Sequence, residues 1–192
     1  MLKKMEKKDS TASFYNKGVV HKRCKYFASN YATDNTTRYL IASVIDRLQK
    51  LPNCNILDLG TGNGFVLTEI ANKIGSQNST RLYGIDLSKY MVEEANNRCK
   101  GYPNISILEG DNYSLPFKND FFDIITNKVV TNLSLSEVYR TLKKGGWFMF
   151  KEYSLGKGME EIVALFKNRV KTKDPLEYII TLRKLGDRKS VV

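Results

Sequence analysis

Short apolar runs alternate with amphipathic stretches along most of the chain. The run NILDL at 55–59 stops at closely spaced glycines, and apolar residues then recur at helical spacing up to about residue 74. A run that stops in this way is typical of a buried parallel strand that leads into a crossover helix. The same alternation repeats downstream, so the sequence predicts an α/β fold with right-handed crossovers and a mostly parallel sheet.

The predicted elements begin with a helix within 36–51. Strands are predicted at 55–59, 81–86, 105–109, 122–126 and 147–153. Helices are predicted at 64–74, 89–99, 136–142 and 159–170, with turns at 76–80 and 143–146. In a sheet of this kind ligands bind at the carboxyl ends of the strands. Gly60, Asp86 and Asn127 stand at three of those ends.

The turn after the first strand carries Gly60, Gly62 and Gly64. Glycine lets a backbone bend sharply and approach a ligand closely, and the next helix presents free N–H groups to that ligand. A dinucleotide fingerprint would have its third glycine three residues after the second, where this chain has Phe65. Asp58 lies two residues before the first glycine, where a carboxylate disfavours a pyrophosphate and suits a cationic ligand.

A second carboxylate, Asp86, ends the second predicted strand, where it can accept hydrogen bonds from ribose hydroxyls. Together with Asp58 it predicts a nucleoside that carries a positively charged tail. Simpler roles stay open for both residues. Asp58 could cap the glycine turn, and Asp86 could form the start of the next helix with Ser88.

The glycine turn, the two carboxylates and several later stretches together resemble the class I S-adenosylmethionine-dependent methyltransferases. ISILEGDNYSLPFKNDFFDIITN is similar to the third and fourth strands of that family, and LKKGGWFMFKEY is similar to its fifth. RCKYFASNYATDNTTRYLIASVIDRL is similar to the capping segment of small-molecule enzymes near the ubiquinone and menaquinone C-methyltransferases, and Tyr31 then lies over the cofactor. The resemblance covers about 26–153 and implies a doubly wound, Rossmann-like sheet with helices on both faces and an N-terminal helical cap.

The resemblance also implies S-adenosyl-L-methionine as the cofactor and S-adenosyl-L-homocysteine as the product. Asp111 is expected to bind the adenine amino group, with Asn112 and Tyr113 beside the ring. Leu87 and Met91, in DLSKYMVEEA, are expected to pack on the adenosine. Asp111 could equally be a turn residue, and Met91 could equally belong to the core. The implied cofactor-binding residues are Tyr31, Asp58, Gly60, Thr61, Gly62, Gly64, Asp86, Leu87, Met91, Asp111, Asn112, Tyr113 and Asn127.

The segment from 156 onward departs from the family pattern. After the helix at 159–170, Asp174 precedes PLEYIITLRKLG, which predicts a second helix that ends at Gly186. The terminal strands of the family are therefore expected to be missing or short. The edge of the sheet near the fifth strand would then be uncovered, which makes a homodimer through that edge an expectation.

Composition fits one domain over 1–192, divided into a basic tail and cap (1–50), a cofactor-binding core (51–155) and a helical C-terminal segment (156–192). The net charge of +11 is uneven, since 1–50 carries 11 Lys and Arg against 4 Asp and Glu, whereas 51–150 carries 10 of each. A basic flank is either an electrostatic footprint for RNA or an anionic substrate, or a solvated surface.

Three scattered cysteines, Cys24, Cys54 and Cys99, have no metal-binding or redox spacing. They are expected to be reduced thiols of a cytoplasmic protein. The charged N-terminus is not followed by the apolar stretch of a secretory signal, and no apolar run has the length of a membrane span. No metal site is expected.

The function implied is methyl transfer from S-adenosylmethionine to a small-molecule acceptor by direct in-line displacement. The sulfonium makes the methyl group electrophilic, so the protein mainly aligns the reactants and excludes water. No catalytic residue is identified. His21 could be a general base or an inert surface residue, and Lys128 could hold an anionic substrate or point into solvent.

Two alternatives to this function remain. An RNA methyltransferase would use the basic flanks, although NKVV replaces the Asn/Asp-Pro-Pro-aromatic motif of enzymes that methylate amines of flipped bases. A protein that binds S-adenosylmethionine without catalysis would fit if missing C-terminal strands opened the substrate pocket.

Overall fold

The computed structural model describes residues 19, 35–51, 53–75, 78–128, 133–151, 169–171 and 179–184. In chain order the elements are α1 (Asn35–Leu48), β1 (Asn55–Leu59), α2 (Phe65–Ile74), β2 (Arg81–Asp86), α3 (Lys89–Cys99), β3 (Ile105–Glu109), β4 (Phe122–Asn127), α4 (Leu135–Thr141), β5 (Leu142–Lys151), β6 (Arg169–Lys171) and β7 (Ile179–Arg183). Within these ranges no helix has the length and apolarity that crossing a membrane requires.

The strands form one sheet in the order β3-β2-β1-β4-β5-β7-β6. β1 pairs in parallel with β2 on one side and with β4 on the other, and β5 pairs in parallel with β4. The strand order therefore reverses direction between β1 and β4, and open α/β sheets bind their ligands outside the carboxyl ends at such a point. The predicted doubly wound, mostly parallel fold with an N-terminal helix is confirmed.

Helices cover both faces of the sheet, and each face has its own apolar cluster. Leu40 and Val44 of α1 pack with residues of α2 and with Ile56 and Ile124 of the two central strands. Helix α4 packs on the opposite face. Because successive strand residues point to opposite faces, every second residue from Ile56 or Ile124 lies on the side that α1 and α2 cover. We call this side the α1/α2 face.

The bounds around β5 differ from the prediction. The predicted turn at 143–146 is wrong, since these residues belong to β5, which begins directly after α4. The register with β4 shifts between the pairs Phe122–Leu142 and Ile124–Trp147, so β5 contains extra residues in a bulge. Gly145 has a φ of 79° there, a conformation that glycine adopts without strain. Glycine and lysine therefore marked an irregular strand and not a separate turn.

The predicted helical C-terminal segment is also wrong wherever the structure describes it. Ile179–Arg183, within the second predicted helix, is the strand β7, and Arg169–Lys171 at the end of the first is the strand β6. β7 pairs antiparallel with β5 and with β6. The terminal strands are therefore present and short. Since β7 covers the edge of β5, the reason for expecting a homodimer at that edge is removed.

Lys184 anchors the end of β7. Its buried ammonium donates hydrogen bonds to Asp120 Oδ1 at 2.8 Å, to the Tyr139 carbonyl at 2.8 Å and to the Leu142 carbonyl at 2.7 Å. Three acceptors satisfy the three protons of a lysine ammonium, which offsets the cost of burying its charge. The last described strand is thus tied to the junction of α4 and β5.

Helices α2 and α3 pack closely at Gly64, the residue before α2. A Cβ atom at this position would lie 2.9 Å from Cys99 Sγ and 3.4 Å from Ala95 Cβ, both on α3. Gly64 also has a φ of 74°, in the left-handed region. Glycine is therefore required twice here, by backbone conformation and by the space that α3 leaves.

Gly64→Ala is expected to destabilise the protein more than Gly62→Ala does. Gly62 also has a positive φ, 56°, but a Cβ atom there would meet nothing within 4 Å. Both variants cost about 1–2 kcal/mol for the left-handed backbone, and only Gly64→Ala adds about 1–3 kcal/mol of overpacking. Denaturant unfolding measures the difference.

Adding Cys99→Ala to Gly64→Ala is expected to restore part of the lost stability, because it removes the sulfur that the new Cβ would touch. Equal losses for Gly64→Ala and Gly62→Ala, or no restoration in the double variant, would contradict this account of the packing.

Candidate cofactor-binding site

The glycine turn is fixed to the neighbouring strand by its backbone. The N–H groups of Gly60 and Thr61 both donate to the carbonyl oxygen of Ile85, at 2.9 and 3.0 Å. This carbonyl is in β2, one residue before Asp86. The turn after β1 is therefore held at the carboxyl end of β2.

Gly62 lies at the open side of this turn. Its φ is 56°, and a Cβ atom there would have no neighbour within 4 Å. The space that Gly64 needs is filled by α3, whereas the space beside Gly62 is filled by nothing in the described part of the chain. Of these two glycines, Gly62 is the one that a ligand can approach closely.

Asp86 holds the turn through its carboxylate. Oδ2 accepts a hydrogen bond from the Gly62 N–H at 2.9 Å, and Oδ1 accepts one from the Ser88 N–H at 3.0 Å. Ser88, and not Asp86, caps α3 by accepting from the Met91 N–H. A carboxylate has about four acceptor positions, so Asp86 can still accept a hydrogen bond from a ribose hydroxyl. Burial raises the pKa of Asp86, and the backbone N–H groups of Ser88 and Gly62 oppose that shift.

Asp58 is buried at 3% exposure near the end of β1. The Thr126 hydroxyl donates to its Oδ1 at 2.7 Å. Burial is the main cause that raises the pKa of Asp58 to about 6, and the hydrogen bond from Thr126 and the positive charge of Lys128 act in the opposite direction. A carboxylate whose charge is desolvated in this way favours a cationic ligand group beside it.

The Thr61 hydroxyl also lies near the Asp58 carboxylate and lowers its pKa, but it makes no well-formed hydrogen bond within the described residues. The same holds for the buried side-chain nitrogen of Asn63. Buried polar atoms are nearly always paired, so these two groups at the turn have capacity for a polar ligand. The turn and its two carboxylates therefore fit the cationic nucleoside that the sequence predicts.

The loop after β3 runs beside Asp86, because the Gly110 N–H donates to the Asp86 carbonyl at 2.9 Å. Asp111 accepts the Tyr113 N–H at 3.1 Å through Oδ1, so it does shape a turn. Tyr113 is 40% exposed and is the one large exposed hydrophobic residue of the described ranges. Tyr113 therefore presents part of its ring at the surface of the loop that follows β3.

Asn112 has a structural partner that the sequence did not reveal. Its Oδ1 accepts a hydrogen bond from the Ser134 N–H at 2.8 Å. Ser134 is the residue before α4, so this bond connects the loop after β3 with the segment that follows β4. The position of Asn112 beside an adenine ring stays a prediction.

The other predicted residues divide into three groups. Met91 is buried at 4% exposure, which agrees with its alternative role in the core, whereas Leu87 is partly exposed. Asn127 is fully buried and is the register partner of Leu59 at the end of β1. Tyr31 and His21 lie outside the described residues.

Two roles were predicted for Lys128, and the one in which its side chain points into solvent is wrong. It is buried at 6% exposure, directly after the end of β4. Sequence reasoning also missed Asn63 and Thr126. The pattern GTGNG does mark the loop that contains Asn63. Thr126 is identified only by the register of β1 on β4, which aligns it with Asp58. In the described part of the chain no cluster of three or more His, Cys, Asp or Glu side chains is arranged to hold a metal ion.

Comparison with known proteins identifies methyltransferases as relatives of this chain. The ubiquinone/menaquinone biosynthesis C-methyltransferase UbiE of Geotalea daltonii is 35% identical over 121 residues, which are 57% of this chain and 50% of that protein. The arsenite methyltransferase of Mus musculus is 32% identical over 124 residues, 54% of this chain and 32% of that protein. The chain thus spans about half the length, or less, of these curated relatives.

A solved structure, a SAM dependent methyltransferase from Aquifex aeolicus, aligns with a TM-score of 0.63 and covers 88% of this chain and 97% of that chain. At 18% identity this likeness shows the fold. A family model described as a methyltransferase domain matches residues 50–182. Since the match extends over well more than half of the chain, the protein belongs to the methyltransferase domain family and has the class I fold of the S-adenosylmethionine-dependent enzymes.

Proposed function

We propose that this protein transfers a methyl group from S-adenosylmethionine to a small-molecule acceptor by direct in-line displacement. The observation that carries the proposal is the arrangement of two carboxylates at one strand-end edge. Asp86, at the end of β2, accepts a hydrogen bond from the Gly62 N–H of the turn, and the buried Asp58 lies on the neighbouring strand β1. Outside its adenine ring, this cofactor has ribose hydroxyls and positively charged groups. The Asp86 carboxylate suits the hydroxyls, and the Asp58 carboxylate suits the positive charge.

The residues of this chain act mainly by binding and orientation. Asp86 accepts the ribose hydroxyls, Asp58 faces the cationic tail, and Asp111 and Tyr113 contact the adenine. When bound, S-adenosylmethionine supplies an electrophilic methyl group on a positively charged sulfur. Because the protein need not activate that methyl group, its contribution is to align donor and acceptor and to exclude water. No residue is assigned as a general base.

A small-molecule acceptor has the better support. UbiE and the arsenite methyltransferase are relatives whose names specify small substrates. The RNA-directed alternative depends on the basic charge of 1–50, and most of that segment lies outside the described residues. Free Cys54 and Cys99, both buried, are compatible with a cytoplasmic location, which we also propose.

Wild-type protein is expected to bind S-adenosylhomocysteine and not NAD in isothermal titration. Asp86→Ala should weaken that binding by about 1.5–3 kcal/mol, because it removes hydrogen bonds to a charged group. Glu93→Ala, which removes an exposed carboxylate from α3, is the matched control and should leave affinity unchanged. Tight NAD binding, or full affinity in Asp86→Ala, would contradict the assignment.

Affinity for S-adenosylhomocysteine is expected to rise with pH through about 6. The ionised form of Asp58 binds the cationic tail, and burial raises its pKa from 3.8 to about 6. Protonation therefore competes with the ligand below that pH, and affinity at pH 5 should be about tenfold weaker than at pH 7.

Asp58→Asn should remove this pH step and bind at all pH values with the weak affinity of the protonated form. Asp86 has a raised pKa as well, so the comparison between variant and wild type isolates the contribution of Asp58. A step of equal size in Asp58→Asn would assign the titration to another group.

Methyl transfer itself can be followed with S-adenosylmethionine that carries a labelled methyl group. The protein is incubated with an extract of the organism that encodes it, and the extract is divided into RNA and small-molecule fractions. The label is expected in the small-molecule fraction and is expected to disappear with Asp86→Ala. Label in a single RNA species would favour the RNA methyltransferase, and no transfer despite binding would favour a non-catalytic role.

A further inference from the structure

The connection between β3 and β4 carries Asp111 and Tyr113, two of the residues expected at the adenine. We call residues 110–121 the β3–β4 loop, and no helix or strand lies within them. The backbone of the loop forms short turns, such as the one in which the Ser114 N–H donates to the Asp111 carbonyl at 3.1 Å. A loop without regular structure does not fix a side chain by itself, so the position of Asp111 depends on what holds the loop.

Helix α4, on the side of the sheet opposite the α1/α2 face, holds the β3–β4 loop by its backbone. The Leu115 N–H donates a hydrogen bond to Glu137 Oε2 at 2.8 Å. Arg140 donates to two carbonyl oxygens of the loop, from Nη2 to Leu115 at 3.0 Å and from Nη1 to Phe117 at 2.7 Å. Two charged side chains of one short helix therefore bind the backbone of the loop directly.

Glu137 and Arg140 also bind each other in a two-pronged ion pair. Arg140 Nε donates to Glu137 Oε1 and Arg140 Nη2 donates to Glu137 Oε2, both at 2.7 Å. The hydrogen bond from Arg140 is the main cause of a lowered pKa for Glu137 and outweighs the opposing effect of burial. A surface pair contributes little to stability in general, but the planar guanidinium fixes the geometry of both partners. The pair is thus suited to set the course of the loop that it binds.

A second connection lies directly beside Asp111. The Asn112 side chain accepts a hydrogen bond from the Ser134 N–H, at the start of α4, through Oδ1 at 2.8 Å. On the other side, the Gly110 N–H donates to the Asp86 carbonyl at 2.9 Å. The stretch that carries Asp111 is therefore tied to the end of β2 before it and to α4 after it. If α4 releases the loop, Asp111 can move relative to Asp86.

We propose that Glu137 and Arg140 are positioning residues for adenine recognition, which hold the β3–β4 loop so that Asp111 meets the amino group of the base. The inference rests on the proposed function and adds a specificity role for α4. The adenine amino group donates a hydrogen bond to a carboxylate, whereas hypoxanthine has at the same place an oxygen that repels one. Discrimination between the two bases therefore depends on where Asp111 lies. The ribose contact at Asp86 belongs to β2 and should depend on α4 much less.

The test compares S-adenosylhomocysteine with S-inosylhomocysteine, in which an oxygen replaces the adenine amino group. In isothermal titration, wild-type protein should prefer the first by about ten- to hundredfold, as expected for a hydrogen bond to a charged group. Glu137→Ala should lower that preference about tenfold, because it lets the recognition group move. Arg140→Lys should lower it too, since lysine keeps the charge and loses the planar fork. The affinity for S-inosylhomocysteine should change little in both variants.

Controls on the same helix separate positioning from general loosening. Ser136→Ala removes the contact between the Ser134 and Ser136 hydroxyls and leaves the bonds to the loop intact, so the preference should stay. Val138→Ala shortens a side chain that is buried in the core under α4. It should lower the free energy of unfolding and keep the preference. Glu137→Gln keeps one acceptor oxygen and should retain more of the preference than Glu137→Ala does.

Hydrogen exchange of the wild-type protein needs no variant. The amides to follow are those of Leu115 and Ser134, which join the β3–β4 loop to α4. Both should exchange more slowly with saturating S-adenosylhomocysteine than with saturating S-inosylhomocysteine. Opening of the loop then also breaks the contact between Asp111 and the base, so the bound adenine opposes that opening.

The outcomes that overturn the inference are distinct. An unchanged preference in folded Glu137→Ala and Arg140→Lys would do so, and so would an equal loss in Val138→Ala, since the loop would then respond to any loss of stability. If the first two variants fail to fold, equal protection by the two ligands would overturn it. Wild-type protein that binds both ligands equally tightly would overturn base recognition through this loop and leave the proposed function intact, whereas binding of neither would overturn the proposed function too.

Discussion

The carboxylate of Asp86 is the interaction on which the candidate site depends. One oxygen accepts the Gly62 N–H of the glycine turn, and the other accepts the Ser88 N–H at the start of α3. A single side chain therefore fixes the turn after β1 to the end of β2 and to the helix that follows it. Backbone N–H groups offset the cost of burying that charge. A neutral group could not accept both bonds equally well, which explains why an acid serves this position even before any ligand binds.

The elements around the glycine turn give two of its glycines different roles. Gly64 allows α3 to approach α2, whereas Gly62 faces open space beside the Asp86 carboxylate. The turn thus has one side that packs and one side that is free for a ligand. Local sequence alone does not separate these roles, because both glycines have positive φ and both belong to the same motif.

The core of the fold was predictable because its boundaries are marked by local chemistry. Apolar runs stop at glycines, helices begin at residues such as Ser88, and the central strands are buried on both faces. The C-terminal strands were not predictable in this way. Whether IITLR is a helix or a strand depends on β5, whose open edge supplies the partners for β7. That edge is nearly thirty residues away in sequence, so no local pattern reports it.

The candidate site, like the fold, was predictable from the sequence only in part. Asp58 and Asp86 were found from their spacing to the glycines, but Thr126 and Asn63 were not, because their roles depend on register and burial. Lys128 shows the same limit most clearly. From the sequence, a lysine directly after a strand is expected to be solvated, and its burial depends on tertiary packing that no local pattern shows.

The late position of β7 has a consequence for synthesis of the protein. β5 becomes an interior strand only when Ile179–Arg183 pairs with it and Lys184 reaches Asp120 and the carbonyls at the α4–β5 junction. On the ribosome, β1 to β5 emerge first and expose one unpaired edge until these residues follow. Such an edge is a template for pairing with other chains. The nascent chain therefore passes through a stage in which chaperone protection of β5 matters more than it does for the finished protein.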